Sequence, residues 1–166
     1  MAQPKRKGRA PRPPQLIGWR ETVALPDLGI ASLKAKVDTG ARTSALHAVD
    51  IETFERAGQH WARFTVPLAG RVRREARLVD ERPIKNTSGE PEMRMVIETA
   101  LILGSHRYGI EVSLANREKM EFDLILGRTA IRRRGLAVDP GRSFLAGPPI
   151  GHRSREPASP VTGEDE

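Results

Sequence analysis

The sequence has 166 residues and no cysteine; 38% of the residues are hydrophobic but only 4% aromatic, so we expect one domain with an aliphatic core. The absence of cysteine excludes disulfides and thiolate metal sites, and no apolar run approaches the roughly 20 residues that cross a bilayer. We therefore expect a soluble, cytoplasmic protein without a membrane partner. Part of the net charge of +7 lies in residues 1–14. This favours a solubilising arm over nucleic-acid binding, because no aromatic residues are interleaved with the basic ones.

The first part of the chain predicts a disordered arm followed by a β-hairpin. Residues 1–14 are basic and rich in proline, with almost nothing to bury. Residues 17–25 form a predicted strand anchored by Trp19, and 26–29 have the composition of a turn. In 30–37 apolar and charged residues alternate in part, as in a half-buried strand, so the two strands are expected to pair.

The central part predicts short strands and one projecting hairpin. Residues 52–60 are an expected loop or short helical turn. Two long strands, 73–84 and 93–103, flank a polar, turn-rich tip at 86–92. The other predicted strands of this part are, in chain order, 45–51, 61–68, 71–79 (the expected partner of 61–68, continuing into the first long strand) and 108–114.

The last part predicts a single short helix. Residues 122–127 read as a buried strand, and 128–135 have the length of a brief helix that ends at a glycine cap. Many short strands with one short helix near the end predict a mainly β fold, a small closed barrel. The remaining predictions for this part are one or two short strands at 136–139 and 143–145, a barrel domain over 15–146, and a disordered tail over 147–166.

The most informative stretch is the Asp-Thr-Gly sequence at 38–40, which directly follows the strand 30–37. A carboxylate at the end of a strand, with a hydroxyl and a glycine after it, is held rigidly among backbone donors, which suits a catalytic acid. The same tripeptide is typical of an ordinary surface turn, because Asp bonds the backbone two residues on and Gly tolerates positive φ. The surrounding sequence decides between these interpretations.

Three features follow one another in the chain: Val37-Asp38-Thr39-Gly40-Ala41, the hairpin tip at 86–92, and Ile125-Leu126-Gly127-Arg128 before the short helix. This order resembles the retropepsin-like aspartic proteases, with their Asp-Thr/Ser-Gly-Ala turn, flap hairpin and apolar-apolar-Gly motif. Residues 38–48 and 122–128 resemble more closely a bacterial and archaeal family often labelled ATP-dependent zinc proteases. That family is associated with ATP-grasp ligases that add glutamate to a ribosomal protein. The resemblance covers about residues 16–146.

The resemblance implies a retropepsin-like barrel and a role for each matching residue. Asp38 would be the catalytic carboxylate, Thr39 would cross-bond two such turns, and Gly40 would let its backbone approach the carboxylate. Gly127 would pack behind the turn. The implied substrate-binding residues are Ala41 on the cleft floor and Ser88 and Gly89 at the flap tip. Arg42, next to this motif, is a further substrate-binding candidate. For Arg42 the sequence leaves two interpretations open, an orienting contact to an acidic substrate group or a solvated side chain.

The residues do not support the zinc or the ATP of the family label, so we expect no metal and no cofactor. Catalytic zinc takes three protein ligands and an open position, but the four histidines are far apart in the sequence and form no His-Glu-x-x-His motif. A Gly-x-x-x-x-Gly-Lys-Ser/Thr loop for a nucleotide is also absent from the sequence. We interpret the remaining candidates as follows: His47 and His106 as structural or surface residues, Arg128 as a cap or the partner of a local carboxylate, and 132–134 as a solvated helix end.

Hydrolysis of a peptide bond by carboxylates needs two of them, one to take a proton from water and one to donate to the carbonyl oxygen. In aspartic proteases two such acids share one proton and titrate as a pair. The chain contains one Asp-Thr-Gly, and the internal alternative Asp139 is followed by Pro140, which has neither a hydroxyl nor a backbone N–H. We therefore predict a homodimer in which each copy supplies one Asp38.

The sequence leaves two functions open. The first is an aspartic endopeptidase acting on a protein or peptide, including the amide bonds of a glutamate-extended ribosomal protein. The second is a non-catalytic, protease-like binding module that holds an ATP-grasp ligase or a ribosomal partner through its basic surface. Replacing Asp38 by Asn separates them, because only the first function depends on that carboxylate.

Overall fold

The computed structural model describes residues 12–70, 72–86 and 88–151, so most of the predicted arm (1–11) and tail (152–166) lies outside the described residues. The described residues form eleven strands: β1 (Gln15–Gly18), β2 (Arg20–Leu25), β3 (Ile30–Asp38), β4 (Ser44–His47), β5 (Val49–Arg56), β6 (Gln59–Thr65), β7 (Arg73–Lys85), β8 (Pro91–Leu103), β9 (His106–Ala115), β10 (Leu124–Gly127) and β11 (Leu136–Asp139). One helix, α1 (Arg128–Ile131), follows β10, and 3-10 turns lie at Pro26–Leu28 and Pro67–Ala69.

Nine of these strands form one sheet that closes into a ring. Their order is β2-β3-β10-β4-β9-β8-β7-β6-β5, and β2 also pairs with β8. The strands from β2 to β8 in this order therefore make the ring, and β7, β6 and β5 continue from it as an extension. β1 and β11 form a separate, parallel pair. The predicted mainly β fold with one short α-helix is confirmed.

Aliphatic side chains fill the interior of the ring. In β3, Leu33, Ala35 and Val37 are buried, whereas Lys34 and Lys36 between them are exposed, as the two-residue period of a strand requires. β10 is buried almost throughout because it lies between β3 and β4. Each fully buried Leu or Ile contributes about 1.5–3 kcal/mol by removing apolar surface from water. The strands that carry the site are thus firmly packed.

A buried carboxylate binds the segment after β11 to the start of β2. Glu21 is fully buried and accepts hydrogen bonds from the backbone N–H groups of Gly18 (2.6 Å), Leu145 (2.9 Å) and Ala146 (3.0 Å). A buried charge is tolerated when several donors satisfy it. The segment 143–146 is therefore part of the folded body.

Residues 52–60 form a hairpin, so the expectation of a loop or helical turn is wrong. β5 ends at Arg56 and β6 begins at Gln59. Between them Ala57 and Gly58 both have positive φ, 51° and 77°, which is the turn geometry that matches twisted strands. The sequence conceals this turn because alanine rarely adopts positive φ. β5 is also largely exposed, so it lacks the apolar alternation that reveals a strand.

The helix is shorter than the predicted span 128–135. It ends at Ile131, because Arg132 is extended (φ −63°, ψ 148°) and Arg133 has φ 62°. Gly135 follows with φ 67° and closes the loop that leads to β11. Within residues 12–70, 72–86 and 88–151, no helix has the length and apolar character needed to span a membrane.

Three strand predictions also need correction. The predicted strand 45–51 is divided at Ala48, because β4 pairs with β10 and β9 whereas β5 pairs with β6. The predicted strand 17–25 is two strands, since the chain pairs with β11 up to Gly18 and with β3 from Arg20 on. The predicted strand 143–145 does not join a sheet. Phe144 has φ 57°, and the N–H of Leu145 donates to the Glu21 carboxylate instead of a neighbouring strand.

Candidate active site

Asp38 is the last residue of β3 and begins a tight turn. Its Oδ1 accepts the backbone N–H groups of Gly40 (3.1 Å) and Ala41 (3.3 Å), and its carbonyl oxygen also accepts the Ala41 N–H (3.2 Å). The carboxylate is therefore oriented by the backbone that follows it. Asp38 is half-buried, whereas Thr39 and Gly40 are exposed, so one edge of the turn is open to another molecule.

β10 supports this turn from behind. It runs parallel to β3, with Gly127 opposite Asp38. A Cβ on Gly127 would lie 2.7 Å from the carbonyl carbon of Thr43 and 2.9 Å from the carbonyl oxygen of Arg42, so a larger residue would displace backbone. The Gly127 N–H donates to Ser44 Oγ (3.1 Å) in a buried hydrogen bond. Gly127 thus packs behind the turn, at the place that the resemblance implies.

The start of α1 is bonded to the same turn. The backbone N–H of Arg128 donates to the Ala41 carbonyl (2.8 Å). The N–H and the hydroxyl of Thr129 both donate to the Arg42 carbonyl (3.2 and 2.8 Å). The Arg128 guanidinium donates to the Gly40 carbonyl (3.1 Å). Of the two predicted roles, it therefore caps a backbone carbonyl of the turn and does not pair with a carboxylate. Strands β3 and β10 and helix α1 together fix the active turn, by which we mean residues 38–43.

A cavity of about 410 Å³ opens beside Asp38 and is called the cleft below. Its size is that of a typical ligand site. The active turn contributes Asp38, Ala41 and Thr43 to its wall; the β7–β8 hairpin contributes Ile84, Lys85, Asn86 and Arg94; and the loop after β9 contributes Arg117, Met120, Glu121 and Phe122. The cleft therefore lies between the active turn and the hairpin.

The cleft carries more positive than negative charge. Its cationic residues are Lys36, Lys85, Arg94 and Arg117, and its acidic residues are Asp38 and Glu121. Burial and the nearby charge of Arg94 lower the pKa of Arg117, and the carboxylates of Asp123 and Asp38 oppose this shift. A cleft lined by an excess of one charge concentrates ligands of the opposite charge. This cleft therefore favours anionic ligands.

The structure brings two of the predicted site residues, Asp38 and Ala41, together on the cleft wall. Arg42 is exposed and contacts α1 through its carbonyl oxygen. Ser88 and Gly89 are exposed at the hairpin tip and do not line the cleft of the single chain. The catalytic and substrate-binding roles of these residues stay predictions.

Sequence reasoning missed the two arginines of the cleft. Arg94 lies between two methionines in a long strand. A lone cation in such an apolar run is unusual, so the sequence alone could have marked Arg94 as a candidate. Arg117 lies in a polar loop, where charged residues are usual, so its position is visible only in the fold. The N–H of Arg117 donates to Nδ1 of the buried His47 (2.8 Å), which agrees with the structural interpretation of that histidine.

Asp139, the internal alternative for a second catalytic acid, does not line the cleft. It ends β11 opposite Gly18, and its Oδ1 accepts the N–H of Gly141 (3.0 Å). Besides Asp38, the carboxylate on the described cleft wall is that of Glu121. The described residues contain no group of three or more His, Asp or Glu side chains arranged to hold a metal ion.

Comparison with known proteins identifies the family of this chain and several of its relatives. Residues 16–149 match a family model described as "RimB-like: Retropepsin-like aspartic endopeptidase RimB". Curated proteins from Desulfotalea psychrophila and Shewanella halifaxensis are 45% identical over 138 residues and 42% identical over 137 residues, and both are named "Probable alpha-L-glutamate ligase". Each match covers 80% of this chain and 30% of the relative. The chain therefore spans less than a third of the length of these relatives.

A solved structure from Legionella pneumophila, described as a protein with unknown function, has a similar fold. The two structures superpose with a TM-score of 0.70 and share 36% sequence identity. The match covers 79% of this chain and 97% of the Legionella chain. The similarity thus extends over nearly all of that solved chain.

Proposed function

Because this chain belongs to the RimB-like family of retropepsin-like aspartic endopeptidases, we propose that it hydrolyses peptide or amide bonds with water activated by two Asp38 carboxylates. The resemblance drawn from residues 38–48 and 122–128 is confirmed by that membership. The observation that carries the proposal is the geometry of Asp38. Its carboxylate is fixed by the turn, half-buried, and part of the wall of a cleft that can hold a peptide.

In the proposed reaction, one Asp38 carboxylate takes a proton from water while the water oxygen attacks the scissile carbonyl carbon. The second Asp38, in its protonated form, donates its proton to the carbonyl oxygen. Collapse of the tetrahedral intermediate breaks the C–N bond. The first Asp38, now protonated, gives its proton to the leaving nitrogen, and the second Asp38 takes back a proton from the diol as the carboxylic acid product forms. The N–H groups of Gly40 and Ala41 occupy Oδ1, so we assign the water to Oδ2.

We propose that the second Asp38 comes from another copy of the chain. Thr39 and Gly40 form an exposed edge beside the carboxylate, which an identical edge can meet across a two-fold axis. Mixing wild-type chains with an equal amount of Asp38→Asn chains tests this. Activity is compared with that of the same total amount of wild-type chain. If the site needs two copies, about a quarter of that activity remains after subunit exchange, because only one dimer in four has both acids; a site complete within one chain retains about half.

The proposed substrate is a glutamate-extended polypeptide, with a ribosomal protein as the proposed carrier. Two observations support this. The relatives named as glutamate ligases contain a region similar to this chain within a longer polypeptide, so the enzyme that adds glutamate and a domain of this kind occur together. The cleft also has an excess of positive charge, which suits an acidic chain.

The decisive experiment is Asp38→Asn, assayed on a glutamate-extended protein by mass spectrometry. We expect cleavage to fall at least about 10³-fold, because the substitution removes the group that moves the proton. Asp139→Asn, on β11, is the matched control and should cleave like the wild type. Glu121→Gln tests the other acid of the cleft and should also keep cleaving. Undiminished cleavage by a folded Asp38→Asn protein would refute the proposal.

A second candidate function is a binding module for a glutamate ligase. The observation that favours it is the ligase name of relatives that contain a similar region, together with the net charge of +7. It predicts salt-sensitive binding of a ligase that Asp38→Asn leaves unchanged. A pull-down at two salt concentrations with both proteins measures this, and binding that depends on Asp38 counts against it.

A further inference from the structure

Arg94 is a nearly buried cation on the hairpin wall of the cleft. It lies in β8, and its side chain is only 12% exposed. Its Nη2 is 3.4 Å from Glu92 Oε2, a long contact, and its buried Nε has no hydrogen-bond partner among the described residues. A nearly buried guanidinium whose ion pair is long is stabilised by a closer anion. Because Arg94 lines the cleft, an anion in the cleft can make that contact.

Arg117 approaches the same place from the loop after β9. Its backbone is fixed by the bond to His47 Nδ1 (2.8 Å), and its Nε donates to the Phe122 carbonyl (3.3 Å). Arg94 and Arg117 line the same cleft, and the charge of Arg94 adds to the effect of burial in lowering the pKa of Arg117. Two like charges held together in a partly buried wall repel, and an anion between them relieves that repulsion.

The two arginines lie where the cleft meets a second cavity. This cavity has a volume of about 310 Å³ and shares Asn86, Arg94, Arg117 and Met120 with the cleft. A substrate chain that passes Asp38 can therefore place a neighbouring group against both guanidinium groups. The planar fork of an arginine matches a carboxylate through two parallel hydrogen bonds, which a point charge does not.

We propose that Arg94 and Arg117 together form a subsite that binds one substrate carboxylate beside Asp38. The assignment deepens the proposed function and rests on it, since it takes Asp38 as the catalytic acid. The carboxylate comes from a glutamyl side chain or from the α-carboxylate at the end of the substrate. Both present the same group to the arginines, so the experiment has to separate them.

The test measures binding, so it does not depend on turnover. In the Asp38→Asn background, the affinity for a fluorescein-labelled oligo-glutamate peptide is compared among Arg94→Gln, Arg117→Gln and the parent. Each substitution should weaken binding at least about tenfold, because it removes one charge-assisted partner of the carboxylate. Arg107→Gln is the matched control, since Arg107 is an exposed arginine of β9 that lines neither cavity. The Arg107→Gln variant loses the same charge and should bind the peptide as tightly as the parent does.

Variants of the peptide identify the carboxylate. We measure the affinity of two kinds of peptide for the parent and for both arginine variants. In the first kind, one glutamate at a time is replaced by glutamine; in the second, the C-terminal carboxylate is amidated. A side-chain subsite shows one position at which glutamine weakens binding to the parent but not to the variants. A terminal subsite shows this pattern only for the amide. If circular dichroism shows that either arginine variant is unfolded, Arg94→Lys or Arg117→Lys is used in its place. The lysine variant should bind the peptide more weakly than the parent.

The inference is overturned if folded variants of Arg94 and Arg117 discriminate between glutamate and glutamine as strongly as the parent does. That result leaves the proposed function intact as long as Asp38→Asn abolishes cleavage. Conversely, cleavage that persists in Asp38→Asn removes the proposed function, while loss of carboxylate binding in the arginine variants still identifies the subsite. The two failures are thus distinguishable.

Discussion

The two walls of the cleft are built in different ways. The active turn is bonded from behind to α1, since its carbonyls at 40–42 accept hydrogen bonds from Arg128 and Thr129. Gly127 of β10 lies directly against it. The tip of the β7–β8 hairpin is exposed and is organised mainly by Asn86, whose Oδ1 accepts the N–H groups of Ser88 and Glu90 (3.0 Å each). The comparison teaches that Asp38 lies on the wall that is bonded to the packed body, whereas the tip of the opposite wall is exposed and held mainly by its own turn.

The largest effect is expected on the wall that carries Asp38, from Gly127→Ala. The added Cβ would lie 2.7 Å from the backbone carbon of Thr43, and backbone cannot rotate away as a side chain does. We expect the free energy of unfolding in urea to fall by about 2–3 kcal/mol. Cleavage by the folded fraction should fall as well, because the active turn is displaced.

Gly109→Ala is the control for this substitution. Its added Cβ would meet Glu98 Oε1 at 3.4 Å, the far end of a flexible side chain. We expect a change of no more than about 1 kcal/mol, because alanine also reduces the entropy of the unfolded chain. Equal losses for the two variants would contradict the close packing assigned to the active turn.

A smaller effect is expected on the hairpin wall, from Gly89→Ala. Gly89 has φ 78°, and a Cβ there would meet nothing within 4 Å, so the cost is a backbone strain of about 1–2 kcal/mol. Because the tip can relax locally, the urea midpoint should change little, while KM for cleavage should rise severalfold. Gly58→Ala has the same strain (φ 77°, open space) in the β5–β6 turn. It should leave KM unchanged, and a rise in both variants would refute a role for the tip.

The smallest effect concerns the base of the hairpin wall, where β7 meets β6. Hydrogen bonds from Arg56 and Arg63 lower the pKa of Glu75 from its ordinary value of 4.5. The folded-state pKa is thus below the unfolded one, so the stabilisation is present above about pH 4.5 and is lost as the pH falls through the folded-state value. Urea midpoints of the wild type and Glu75→Gln should therefore converge on acidification. Glu118→Gln, in the loop after β9, controls for the loss of one charge.

Much of the wall that carries Asp38 could be predicted from the sequence because its features are local. The strand before Asp38, the turn at 38–40 and the glycine at 127 each have short signatures that need no knowledge of distant contacts. The long hairpin was predictable for the same reason, from two strand-like runs around a polar tip. The β5–β6 turn was not, because alanine at 57 gives no sign of positive φ.

The charged part of the cleft could not be predicted in the same way. Arg94 and Arg117 belong to different elements, and only the pairing of β8 with β9 and the bond from the loop to His47 bring both to the same cleft. The partner of Arg128 was left open for a related reason. The sequence allowed a cap or a carboxylate partner, and only the fold shows that the guanidinium caps the Gly40 carbonyl.

The Glu21 carboxylate connects parts of the chain that are far apart in the sequence. It accepts the N–H groups of Gly18, at the end of β1, and of Leu145 and Ala146, more than 120 residues later. Because the carboxylate is fully buried, separating either segment from it would leave a buried acceptor with fewer partners. The end of β1 and the segment 143–146 are therefore expected to unfold together, and hydrogen exchange at the three amides should report a single opening event.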